Sequence, residues 1–451
     1  MSSTTAAAPS KKDVRRVAAA SLIGTTVEFY DFFIFGTAAA LVFGQLFYPS
    51  EDPLAGTLAS FATFGVAFVA RPLGAIVFGH FGDRISRKNM LIISLMMMGI
   101  ATVAIGLLPT YQQVGFLAPV LLVLCRLIQG LALGGEWGGA VLMAVEHAPR
   151  NRRAFFGSWA QVGVPLGLVL ASGAFALVGL LPADYVQEWG WRLPFILSAI
   201  LVLVGLYIRL KIEESPAFTA MKSEKKEEKF PAGVVFKKAP KGLAIAALGV
   251  AAANIPFYMA TVFMLTFGEQ YGIERSHMLL AVCVASFIQI FTIPMFGLLC
   301  DKIGRRNVMM IGCVLTAAMA FPLFSLVQTG SVWAAFVGMI IVLPLCHAMT
   351  YGPQAAWIPE VFPTRLRYSG SGIAYTAGGL LFSAPVPFIS AWLLSQIEGT
   401  WTLSIYIIIG AVLTFVAVWA SRESRDDEIH WEKSPDEVRP VSNSVQTPAV
   451  R

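Results

Sequence analysis

Twelve apolar stretches, each about twenty residues or longer, recur along the chain and are separated by short polar connections. A stretch of that length crosses about 30 Å of hydrocarbon as a helix. In lipid no water satisfies the backbone, so helices or closed barrels are the only spanning solutions. Charged residues supply only 13% of the chain, against roughly 25% in soluble proteins, which is too few to cover a water-facing surface. A soluble enzyme, a secreted disulfide scaffold and a disordered chain are thereby excluded. The reading is an all-α membrane protein with twelve transmembrane helices. Its five cysteines, Cys125, Cys283, Cys300, Cys313 and Cys346, are an odd number and form no CxxC pair, so neither a zinc site nor a disulfide framework is indicated. No metal and no cofactor are expected.

The apolar pattern divides the chain into an N-terminal tail over 1–16, six spans within 17–210, a linker over 211–241, six spans within 242–421, and a C-terminal tail over 422–451. The first span has no small-residue cleavage site and reads as retained rather than as a signal peptide. The linker carries a mixed charge run from Lys222 to Lys229, which reads as a solvated segment. Lys and Arg fall almost wholly in alternate connections. If the amino terminus is inside, the outer segments carry only Arg192 and Arg275. By the positive-inside rule both termini are expected in the cytoplasm. The net charge of +6 sits in loops, so it points to topology and not to a nucleic-acid partner.

The two halves repeat each other. Gly79, Asp83, Ile85, Arg87 and Asn89 after the second span match Gly297, Asp301, Ile303, Arg305 and Asn307 after the eighth. Glu146, Pro149 and Arg153 after the fourth match Glu360, Pro363 and Arg367 after the tenth. Glu214-Ser215 and Glu423-Ser424 form a weaker echo. Parallel six-helix repeats place a substrate site near the membrane midplane, where the halves meet and rock by alternating access.

The paired loops resemble the loop motif of the major facilitator superfamily. Within it, Gly24 to Phe32, Ala70 to Gly74, Arg126 to Gly130, the Gly134-Gly135-Glu136-Trp137-Gly138-Gly139 run and Trp189 to Phe195 resemble the metabolite:H+ symporter family. Ser86 stands where the superfamily motif usually has glycine. The resemblance covers about residues 17 to 421 and implies the major facilitator fold in the cell membrane. It also implies proton-driven uptake of small organic acids such as shikimate, 2-oxoglutarate or citrate, or of proline and betaines. Osmosensing members carry a long C-terminal coiled coil. The tail here lacks heptads and contains Pro435, Pro440 and Pro448, which favours metabolite uptake over a compatible-solute symporter. Exporters tend to carry Gly-Pro in the fifth span, and here Val164 precedes Pro165, so export ranks lower. A non-transporting receptor is the remaining alternative; an enzyme is not expected.

Only five side chains of the Asp, Glu, Lys and Arg types fall well inside the spans: Glu28, Asp31, Arg71, Arg126 and Glu136. A charge in hydrocarbon is costly unless it is paired or wet, so such residues mark a pathway by default. Glu28 is 11 residues past Val17, about 16 Å deep at 1.5 Å per residue. Asp31, three residues on, shares nearly the same helical face. A carboxylate that alternates between an arginine-paired and a water-exposed state can load a proton outside and release it inside. Glu28 and Asp31 are therefore the expected proton-coupling site, with fixed salt bridges to Arg71 or Arg126 as the competing reading. Glu136 reads either as a third coupling group or as a bond to a neighbouring span drawn close by its glycines. Either arginine could hold a carboxylate bidentately. Arg126 is preferred because Gln129 extends its face, and Arg71 precedes the helix-distorting Pro72. Tyr30 is a further candidate substrate contact.

The C-terminal half offers uncharged candidates: Tyr258 in the seventh span, and His347, Tyr351 and Gln354, which share one face of the tenth. Asp83, Arg84, Arg87, Asp301 and Arg305 read as gating residues. A loop aspartate can pair with arginines or with a helix N-terminus across the half interface. The expected partners are a small organic acid, protons and the lipid bilayer, with a monomeric chain.

Overall fold

A computed structural model describes residues 11–49, 53–211, 231–363 and 366–425. The charge run Lys222 to Lys229, the Glu214-Ser215 pair and the proline-bearing end of the tail lie outside the described residues, as do the side chains of Asp83 and Arg84. Among the described residues, twelve helices are long and apolar enough to cross a membrane: α1 Asp13–Ala38, α2 Gly65–Gly82, α3 Arg87–Leu107, α4 Leu117–His147, α5 Arg150–Val178, α6 Gly190–Leu210, α7 Pro240–Gln270, α8 Arg275–Ile303, α9 Arg305–Gln328, α10 Val332–Glu360, α11 Arg367–Gln396 and α12 Trp401–Ala420. The second half of the linker is itself a helix, Pro231–Lys238, which packs beside α2 and α11.

The two ends of the described residues lie on one face, the termini face. Val14 and Ala18 of α1 pack with Ala148 and Phe156 beside the α4–α5 connection. On the same face, Arg425 donates to the Lys302 carbonyl at the end of α8. Around the bundle, Leu180, Trp333, Phe388 and Trp419 are strongly exposed, as side chains bathed in lipid are.

Small residues set the helix spacing inside the N-terminal half. A Cβ on Gly134 of α4 would collide with the Arg71 carbonyl of α2, and one on Gly130 would lie 2.5 Å from the Ala67 carbonyl. Gly163 and Gly167 bring α5 equally close to Thr25 and Tyr30 of α1. Backbone contact of this kind replaces the hydrophobic drive that lipid does not supply.

The C-terminal half is less regular. The α7 span breaks after Leu248, resumes at Ala251 and contains a π-turn over Met259–Phe263. A second π-turn, Val342–His347, interrupts α10. The first segment of α11 ends at Phe382, and the helix resumes at Val386 after Pro385. Tyr258, His347 and Ser383, one at each irregular stretch, all line one cavity, and π-turns concentrate at functional sites.

Candidate functional site

A cavity lies between the halves, lined by side chains from both. Glu28 of α1 and Arg71 of α2 are its charged lining residues. Trp137 of α4 joins them on the N-terminal side, and Asn254, Tyr258, His347, Tyr351 and Tyr375 supply the C-terminal side. The irregular helices explain the placement: Tyr258 precedes the π-turn of α7, His347 closes that of α10, and Ser383 sits at the break in α11.

Arg71 is held by its flat faces. Its guanidinium carbon lies 4.4 Å from the Phe68 ring centre and 4.9 Å from that of Phe32, and the group sits beside the Tyr258 hydroxyl. Among the described residues its Nε and Nη2 are buried without a hydrogen-bond partner. Those two donors form the edge of the guanidinium that grips a carboxylate bidentately. Glu28 interacts electrostatically with Arg71 on one side and Arg209 on the other, yet makes no ion pair among the described residues, and its Oε2 has no donor.

The opposite wall is aromatic. Trp137 stacks on Tyr375 at 3.7 Å with the planes 4° apart. His347 stacks on Tyr351 at 4.7 Å and lies 4.9 Å from Phe257. Gln161 accepts from Trp137 Nε1 at 2.8 Å and donates to the Tyr351 carbonyl at 3.0 Å, so it ties α4 and α5 to α10. His347 Nδ1 meets the Gln289 amide, which also donates to the Leu343 carbonyl within the π-turn.

The structure separates the five intramembrane charges into three sets. Glu28 and Arg71 share the cavity. Asp31, despite its nearness in sequence, turns away: Thr102 donates to its Oδ2 at 2.7 Å, Gln129 donates to Thr102 at 2.8 Å, and Arg126 donates to Gln129 at 2.8 Å. Arg126 is fully buried with its guanidinium 4.0 Å from the Phe35 ring centre. It therefore sits in an interhelical network among α1, α3 and α4, where the sequence had preferred it as the substrate arginine. The third set is Glu136, in an ion pair with Arg209 of α6 and hydrogen-bonded by Ser94 at 3.1 Å. Two further candidates also point elsewhere. The Tyr30 hydroxyl donates to the Pro194 carbonyl at 3.0 Å, and Gln354 donates to the Gly249 carbonyl at the α7 break, 3.3 Å away.

Arg209 escaped the sequence reading because it stands at a span end, where a basic residue looks like a topology marker. Its side chain reaches inward past Gly24, at which a Cβ would overlap the guanidinium. Gly24→Ala should displace Arg209 and leave Glu136 buried without its cation, a loss of about 3–5 kcal/mol. A lowered melting temperature of the detergent-solubilised protein checks this; a wild-type melt contradicts it. Trp137, visible in sequence only inside a glycine-rich run, also gained its role from tertiary packing.

On the face bearing the termini, the loop residues close the interface between the halves. Asp301 accepts from the Ala154 and Phe155 backbone N–H groups at 3.0 and 2.9 Å, at the start of α5 in the other half. These donors have no intrahelical partner, and the helix dipole favours a carboxylate there. Arg305 pairs with Asp301 at 3.5 Å and Glu360 at 3.2 Å. Its repeat mate Arg87 pairs with Glu146, to which Arg367 also reaches across the interface at 3.5 Å. Tyr368 donates across the interface to the Gly135 carbonyl at 2.7 Å. Asp301→Asn should weaken two charge-assisted bonds by about 1–2 kcal/mol, opening this face more often. A cysteine at position 158, in an otherwise cysteine-free chain, should then react about tenfold faster with an impermeant thiol reagent. An unchanged rate would contradict this role.

Comparison with known proteins agrees with this architecture. The family model described as Major Facilitator Superfamily matches residues 21–382 and 246–449. The chain is 42% identical, over 92% of its length and 95% of the relative's, to the inner membrane metabolite transport protein YhjE of Escherichia coli K12. It is 38% identical to the shikimate transporter of the same organism, over 91% of this chain and 95% of that one. It is 32% identical to the proline/betaine transporter of Salmonella typhimurium, over 91% and 84% respectively. The fold matches that of the proton:xylose symporter XylE with a TM-score of 0.74 at 17% identity, covering 92% of this chain and 97% of the other. Twelve apolar helices in two repeated sets of six, a cavity between the halves and these relatives lead to one assignment: this chain is a multi-pass membrane protein that belongs to the major facilitator superfamily.

Proposed function

We propose that the protein is a proton-coupled symporter that imports a small organic acid by alternating access. The carrying observation is the cavity in which Arg71 presents two unused donors beside the unpaired carboxylate of Glu28. When Glu28 is ionised it competes for Arg71. When Glu28 is protonated, the guanidinium is left to the substrate carboxylate. Proton and anion then favour each other's binding, which is the coupling symport requires. The stacked Tyr375–Trp137 and His347–Tyr351 pairs offer flat apolar walls for the substrate's carbon frame, with the tyrosine hydroxyls and Asn254 as polar contacts. Energy comes from the proton gradient. The positive-inside bias sets the termini face in the cytoplasm of the cell membrane, and a monomer contains the whole site.

A zwitterion is the second reading, favoured by one positive and one negative side chain in a single cavity and by the proline and betaine carriers among the relatives. Proteoliposomes loaded with a pH dye test both readings. With the inside alkaline, accumulation of shikimate, 2-oxoglutarate or another organic acid together with internal acidification is the expected result. Accumulation of proline or glycine betaine alone selects the second reading. Absence of counterflow for every compound would mark a non-transporting receptor.

A further inference from the structure

Arg209 is a guanidinium between two carboxylates. It pairs with Glu136 and acts electrostatically on Glu28, and the slot that lets it lie between them is the bare backbone at Gly24, one helical turn from Glu28 towards the termini face. A Cβ at Gly24 would overlap Arg209 and would also stand 3.0 Å from Glu136 Oε1. Beyond the pair lies a second, small cavity, bounded by Ser21, Lys88, Leu91, Ala140, Met143 and Arg209 itself. Lys88 belongs to the first turn of α3 and lies at the termini face. Arg209 also donates to the Leu91 carbonyl on that cavity's wall. Glu28, Arg209, Glu136 and the second cavity thus lead from the central cavity towards Lys88 at the termini face wholly inside the N-terminal half, without crossing the interface that Asp301, Arg367 and Tyr368 close.

We propose that the proton carried by Glu28 leaves along this line, through Glu136 to the second cavity, while the central cavity serves the substrate. The inference rests on the symport reading above. In the transfer, the O–H bond at Glu28 breaks and one forms on a Glu136 oxygen. Arg209 keeps its five protons and shifts its pairing from Glu136 to the newly ionised Glu28. Glu136 then gives the proton to water on the termini side and recovers Arg209. The first step creates no net charge inside the bundle; in the second one positive charge leaves with the proton, Arg209 returns to Glu136, and the carboxylate left on Glu28 turns to Arg71. The separation has a purpose: a proton that leaves by its own route discharges Glu28 while the interface between the halves is still closed, so Arg71 is drawn away from the substrate before release.

The test uses the full chain in proteoliposomes containing a pH dye, with shikimate or whichever acid passes the uptake screen as the probe. Glu136→Gln keeps the shape of the side chain and removes its ability to pass a proton. Counterflow, which needs no net proton movement, should persist. Substrate-driven internal acidification and uphill accumulation should fall at least about a hundredfold, the low end of what a positioned acid–base group contributes. Acidification at the wild-type rate would overturn the route. If Glu136→Gln does not insert, Ser94→Ala decides, since it removes only the hydroxyl that fixes Glu136. Reduced acidification with intact counterflow supports the route, and unaltered acidification overturns it. A wild-type protein that transports without acidifying its liposomes overturns the symport reading instead, so the two failures are distinguishable.

Discussion

Arg71→Gln should abolish transport in every mode, including counterflow, with the protein still inserted. Two charge-assisted hydrogen bonds are at stake, each contributing about 1.5–3 kcal/mol, which translates to roughly a hundredfold or greater loss of affinity. Lysine should not rescue it, because an ammonium cannot reproduce the planar fork. Arg71 lines the cavity with its Nε and Nη2 unpartnered among the described residues, whereas Arg126 is engaged with Gln129 and packed over Phe35. Arg126→Gln should therefore act through stability, lowering the melting temperature more than it weakens substrate binding. Titration of the transported acid against both purified variants checks the contrast. If Arg126→Gln loses affinity and Arg71→Gln keeps it, the cavity has been assigned the wrong arginine.

Glu28→Gln should uncouple transport from the proton gradient. A glutamine mimics the protonated carboxyl in shape and charge, leaves Arg71 uncontested, and cannot release a proton. Counterflow should survive, and uphill accumulation should disappear. The size of the loss follows from electrostatics. A monoanion without a proton is opposed by about 2.3 kcal/mol per 100 mV of inside-negative potential, so its equilibrium ratio falls to about one-fiftieth at that potential. Accumulation measured with and without an imposed potential checks this. Normal accumulation in the variant would remove Glu28 from the coupling role. Asp31→Asn should behave differently, since Asp31 is bound by Thr102 within a fully buried network. It should destabilise the bundle in the way Arg126→Gln does.

Much of the fold was legible before any coordinates. Membrane thickness fixes span length, lipid forbids unsatisfied backbone, and the repeated loops at 79–89 and 297–307 mark the two halves. The same physics singled out Glu28, Arg71 and Glu136 as charges that must do something, since a charge in hydrocarbon is rare without a partner. What it could not settle was the partner. Three residues along a helix differ by only about 60° in direction, so Glu28 and Asp31 look alike in sequence. In a close-packed bundle that angle is enough to aim one at the cavity between the halves and the other at α3.

Long side chains blur the boundary further. Arg209 belongs to a span end by position, and its guanidinium belongs to the interior because Gly24 leaves room for it. The aromatic wall depends on π-turns and a helix break that no apolar periodicity records. The sequence by itself therefore determined the number of helices, their pairing into two halves and the short roll of charges that have to be compensated. Tertiary structure alone decided which carboxylate meets which arginine and which group reaches the substrate. Burial in lipid is a property of composition and length, whereas ion pairing depends on atoms brought together from distant helices.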